Sequence, residues 1–147
     1  MPDPSCQIVR TLDVIGEKWS LLIVRNALRG QTRFSEFRES LGAPTDILTT
    51  RLAKLVAAGI LDKRSYRHEG SRERSSYHLT PKGEGLRVVV ASMIEWGDEH
   101  NPAPAGVASR IVDGEDGHPL RLAFVDDAGR LTAPADIAIV PGSRASW

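Results

Sequence analysis

The spacing of apolar residues changes at Gly59, and this change restricts the fold more than any other feature. Upstream, Leu48, Leu52 and Leu55 recur at intervals of four and three, the pattern of one buried helical stripe. Downstream, Ile60, Leu61 and Tyr66 face Tyr77 and Leu79 across a polar gap, which predicts an antiparallel hairpin. The helix is expected to run from Thr45, as its N-cap, to Ala58, with Asp46 beside the positive end of the dipole. The hairpin tip, residues 67–75, is polar throughout and reads as flexible. Thr80-Pro81 then supplies the N-cap and first position of a long helix carrying Leu86, Val89, Val90, Met93, Ile94 and Trp96.

Three helices come before this unit. Ile8, Leu12 and Ile15 mark the first, and Trp19, Leu22, Ile23 and Leu28 the second, with a corner near Gly16. Phe34, Phe37 and Leu41 mark a short third helix over residues 33–41, closed by Gly42. Helix, helix, helix, turn, helix, hairpin, helix is the order of a winged helix-turn-helix. The predicted class is therefore α+β, mainly α, with N- and C-terminal dimerisation helices. Asn101-Pro102-Ala103-Pro104-Ala105-Gly106 reads as a linker, so residues 1–101 form the main domain and 102–147 a small β-rich extension. Short strands are expected there at 107–112, 120–125 and 137–140; a segment this small is marginal for a core of its own.

Composition excludes several classes. With 41% apolar and 26% charged residues, the chain has the make-up of an ordinary globular domain. No apolar run exceeds four residues, against the roughly 20 needed to cross a bilayer. Met1-Pro2-Asp3-Pro4-Ser5 lacks the basic and apolar regions of a secretory signal, so no membrane partner and a cytoplasmic location are expected. Net charge is zero, yet residues 51–74 hold seven Lys/Arg against three Asp/Glu, a local excess of four.

That basic stretch contains the candidate nucleic-acid surface. Opposite the leucine stripe, the helix from Thr45 presents Asp46, Thr50, Ala53, Lys54 and Ala57, with Thr49 on its flank. Small and polar side chains suit a helix lying in a major groove, although a plain solvated face has the same composition. The base-reading or groove-lining candidates are Thr45, Asp46, Thr49, Thr50 and Lys54, with Arg51 at the edge as a phosphate contact. Arg67, Arg72 and Arg74 in the hairpin tip are the wing candidates, because guanidinium forks suit phosphates and narrow minor grooves. Arg33 and Ser35, where a helix starts, are the backbone candidates, since helix N-termini offer free amides.

Several ordered motifs now coincide: Ile15-Gly16-Glu17-Lys18-Trp19-Ser20-Leu21-Leu22-Ile23, Arg33-Phe34-Ser35-Glu36-Phe37, Leu48-Thr49-Thr50-Arg51-Leu52, Gly59-Ile60-Leu61, Tyr77-His78-Leu79-Thr80-Pro81-Lys82-Gly83 and Glu95-Trp96-Gly97. Over roughly residues 6–100 the chain resembles the HxlR-type branch of the MarR-like transcriptional regulators. The resemblance implies a homodimeric repressor or activator whose helix from Thr45 reads the major groove of double-stranded DNA while the wing touches the flanking groove. The extension resembles a small zinc ribbon found in some relatives, but Asp116-Gly117-His118 and Val125-Asp126-Asp127-Ala128-Gly129 stand where cysteine motifs would be, so no metal is expected.

Cys6 is the one cysteine, near a thiol that senses oxidants or electrophiles in some such proteins. It is a candidate redox sensor whose thiolate Arg10 could stabilise; a silent interface residue is the plainer alternative. Ile8, Leu12, Ile15, Leu86, Val90, Met93 and Ile94 exceed the needs of one small core and are the dimer-interface candidates, which predicts a two-fold dimer on a near-palindromic operator. An effector of unknown identity is a further candidate partner. His68, His78, His100 and His118 lack ligand spacing, and no nucleophile triad or phosphate loop occurs, so neither a cofactor nor an enzyme is expected. A winged-helix interaction module that leaves DNA alone is the alternative reading.

Overall fold

A computed structural model describes residues 3–142. Compact packing divides the chain between Val90 and Ala91. The first unit begins with α1 (Gln7–Ile15), α2 (Lys18–Leu28), α3 (Phe34–Leu41) and α4 (Thr45–Ala57). It continues with the hairpin β1 (Leu61–Tyr66) and β2 (Arg74–Leu79), then α5 (Pro81–Glu84) and the start of α6 (Arg87–His100).

The expected leucine stripe is the centre of the core. Leu48, Leu52 and Leu55 are fully buried with Ile23 and Val24 of α2, Phe37 of α3 and, at the start of β1, Leu61. One polar group is built into this packing. The Asn26 amide, at the end of α2, donates to Gln31 Oε1 at 3.0 Å and to Ser40 Oγ at 2.8 Å, while Arg25 Nε donates to Asn26 Oδ1 at 2.9 Å. A buried amide must be paired in this way, and here the pairing fixes α3 against the end of α2.

Two glycines have stated reasons. Gly42 closes α3 at φ 61°, the left-handed conformation that a side chain resists. At Gly83 the constraint is space, since a Cβ there would lie 2.2 Å from the Ile60 carbonyl oxygen. The same corner carries Thr80, whose hydroxyl donates to Gly59 O at 2.6 Å and accepts from Gly83 N at 3.1 Å, the expected N-cap. Lys82 Nζ donates to Ala58 O at 2.8 Å, placing a cation on the negative end of α4.

Several expectations are corrected. Thr45 is the first residue of α4 rather than its cap, which is Pro44, whose extended backbone turns the chain into the helix. The long helix is two, α5 and α6, separated at Gly85-Leu86, because glycines at 83 and 85 weaken helical continuity there. β2 already begins at Arg74, paired with Tyr66, so the tip is shorter than the polar composition suggested. Ile15 and Val90, expected at an interface, are buried in the chain itself.

In the second unit, the remainder of α6 is followed by an isolated bridge between Val112 and Pro119 and a two-residue hairpin, β3 (Phe124–Val125) with β4 (Leu131–Thr132). Residues 107–112 and 137–140 form no named strand, the latter following a 3-10 turn at Pro134–Asp136. No described residue of this unit is fully buried.

Candidate nucleic-acid interface

Thr45, Asp46, Thr49, Thr50 and Lys54 are all exposed on α4, as the stripe geometry required. The two central threonines have their hydroxyl hydrogens engaged: Thr49 Oγ1 donates to Thr45 O at 2.7 Å and Thr50 Oγ1 to Asp46 O at 2.9 Å. Each keeps acceptor lone pairs on its hydroxyl oxygen.

The start of α3 and the hairpin, from the middle of β2 to the tip end of β1, are joined by backbone and ring contacts. Arg33 bridges Ser76, Tyr77 N donates to Thr32 O at 2.7 Å, and the Arg33 guanidinium lies over the Tyr66 ring at 5.4 Å. Glu36, three residues into the helix, accepts from Thr32 N and Arg33 N, both at 2.8 Å. Those amides, Arg33 first, hold its carboxyl below the usual glutamate range. Those two amides, which precede the first helical residue, are thus taken up by Glu36.

Between α3, α4 and the hairpin lies a concavity of about 440 Å³, lined by Ser35, Arg38, Thr49, Tyr66, Arg74 and Ser75 among others. It brings together three of the expected residues, Ser35, Thr49 and Arg74. Two more, Arg38 and Tyr66, were missed. Tyr77 also lines it, and burial pushes its phenol pKa up, keeping the hydroxyl protonated.

At the hairpin tip Arg67 Nε donates to Ser71 O at 3.2 Å, and Ser71 donates through both N and Oγ to His68 O. The tip is thus a closed turn with Arg67 and Arg72 exposed upon it. Arg51 and Lys54 are placed differently from the rest. Both side chains reach Glu17, the N-cap residue of α2, Arg51 through Nη2 and Lys54 through Nζ at 3.4 Å. No local sequence signal joins residues 37 positions apart, so this pairing was invisible beforehand.

The remaining candidates lie elsewhere. Cys6 is half-buried at the N-cap of α1. Ile8, Leu12 and Met93 are exposed, and Leu86 and Ile94 are half-buried; Val88 and Trp96, also exposed, extend the apolar set. Among the described residues no group of side chains could hold a metal ion, and no helix is long and apolar enough to cross a membrane.

The sequence profile of the HxlR-like helix-turn-helix family matches residues 14–104. An HTH-type transcriptional regulator of Mycobacterium tuberculosis is 39% identical over 97 residues, 66% of this chain and 60% of that protein. YybR of Bacillus subtilis, also an HTH-type transcriptional regulator, is 35% identical over 65% of this chain and 75% of its own. The chain thus spans about 60% of the length of the first of these curated relatives. Among solved structures, PA1607, a candidate transcription factor, superimposes with a TM-score of 0.77 at 36% identity, covering 95% of this chain and 97% of its own. The redox regulator HypR in its oxidised form gives 0.60 at 33% identity, over 67% of this chain and all of its own. The helical order, the small antiparallel wing and these likenesses agree: the chain belongs to the HxlR-like helix-turn-helix family.

Proposed function

We propose that this protein is a sequence-specific regulator of transcription that binds double-stranded DNA as a homodimer. The observation that carries the reading is the convergence of α3, α4 and the hairpin on one polar concavity bearing Ser35, Arg38, Thr49 and Arg74. A helix whose outer face is small and polar, flanked by guanidinium groups, fits a major groove between two phosphate strands.

Thr45, Asp46, Thr49 and Thr50 face the base edges in this reading. With their hydrogens engaged within the helix, Thr49 and Thr50 accept from adenine N6 or cytosine N4, or press a methyl against that of thymine. Arg67, Arg72 and Arg74 neutralise phosphates or enter the minor groove. Arg33 and Ser35 contact the backbone beside them, Arg33 held in place by the Tyr66 ring.

Ile8, Leu12, Leu86, Met93 and Ile94 form the dimer contact, and two α4 helices then meet half-sites roughly 34 Å apart, on a near-palindromic operator. The signal acts through Cys6, a half-buried thiol at the start of α1, a reading favoured by the likeness to the redox regulator HypR. A small-molecule effector has a candidate seat in the second unit, a concavity of about 720 Å³ lined by Ile94, Glu95, Asp98, Ile111, Leu120 and Arg121.

A gel-shift titration with duplex from upstream of the protein's own gene, with and without oxidant, tests this reading. Saturable retardation that survives competitor DNA is expected, with oxidant releasing the wild type but not Cys6→Ser. Absence of any shift from a folded dimer would favour an interaction module.

A further inference from the structure

We propose that Glu17 restrains Lys54 and withholds it from DNA, lowering attraction to phosphate whatever the sequence. The proposal rests on the DNA-binding reading above and changes the role expected for one of its cations. Arg51 and Lys54 lie one turn apart on α4, and both reach the same Glu17 carboxylate. Their burial differs. The Arg51 side chain is 25% exposed, with a buried Nε that has no partner among the described residues, so this guanidinium is committed inward. Lys54 is 42% exposed, and its ammonium, 3.4 Å from Glu17 Oε1, is the solvent-facing half of the cluster.

An ammonium turned toward a carboxylate of its own chain is not directed at a phosphate. To reach one it must leave Glu17, and Glu17 then stands as a negative charge beside the negative backbone. Affinity for arbitrary duplex comes almost wholly from phosphate neutralisation, whereas base contacts on α4 are unaffected by Lys54. Holding one cation back therefore weakens binding to every sequence while preserving the discrimination supplied by Thr49 and Thr50.

The experiment compares wild type, Glu17→Gln, Lys54→Gln and the double variant on a duplex of arbitrary sequence across a salt series. One added phosphate contact steepens the slope of log K against log salt by about 0.9 and strengthens binding roughly tenfold at 0.1 M salt. Glu17→Gln is expected to show that gain, Lys54→Gln to match wild type, and the double variant to return to the wild-type slope. A shallower slope in Lys54→Gln alone, or an unchanged slope in Glu17→Gln, overturns the proposal. Lys54→Gln leaves the Glu17–Arg51 pair intact, so a shallower slope in it overturns the proposal even if Glu17→Gln does not fold.

A second readout needs no DNA. The rate at which a water-soluble acylating reagent labels Lys54, referenced to Lys63, rises severalfold in Glu17→Gln if the carboxylate restrains the amine; equal rates overturn the restraint. Lys54 labelling that rises while wild type binds no duplex at low salt would sink the DNA reading, and Glu17's effect on duplex affinity with it, while leaving the pair itself demonstrated.

Discussion

Glu36 does at one residue what a capping box does at a helix start: its carboxylate collects the amides of Thr32 and Arg33. Because those bonds favour the charged form, its folded pKa lies below the ordinary value of 4.5. The stabilisation is therefore present above that ordinary value and disappears as pH falls through the lowered one. Glu36→Gln is expected to cost about 0.5 kcal/mol at neutral pH, allowing for solvent screening, with the difference from wild type vanishing in acid; urea titrations at a series of pH values check it. Gly83→Ala pushes a methyl into the Ile60 carbonyl and should cost about 2 kcal/mol in the same assay. Glu36, three residues after the cap, follows a spacing that sequence can display. The Glu17 cluster does not, because it depends on where the α1–α2 corner meets α4.

The element that most determines both fold and interface is α4. Its inner leucines were legible because a helix that buries one face must repeat at three and four, and Leu52, fully buried, should lose 2–5 kcal/mol on truncation to alanine, read by thermal or urea unfolding. Its outer face was legible for the same reason. Less legible was which outer side chains are engaged: Thr49 and Thr50 bond back to their own helix, and Arg51 and Lys54 turn to another. The Thr80-Pro81 start signal and the apolar spacing from Leu86 onward also read as one helix across Gly83-Glu84-Gly85, and so joined α5 to α6. In the extension, β-branched residues at 137–140 suggested a strand that finds no partner among the described residues, since pairing is a property of two segments.

For the whole molecule, apolar side chains stand outside the core in number. Ile8, Leu12, Val88, Met93 and Trp96 are each more than half exposed, far from the arrangement of an isolated small domain. If they meet a second copy, Leu12→Glu should shift the sedimenting species from two chains to one at micromolar concentration, with the helical circular-dichroism signal retained. A wild type that sediments as one chain would rule out the dimer. Whether α4 and the wing grip duplex DNA is read from the salt dependence of duplex binding by wild type and by Arg72→Glu/Arg74→Glu. Wild type is expected to bind saturably and more weakly as salt rises, and the double variant to lose at least tenfold in affinity with a slope shallower by roughly 2. Equal affinity and slope in the two proteins would contradict that grip.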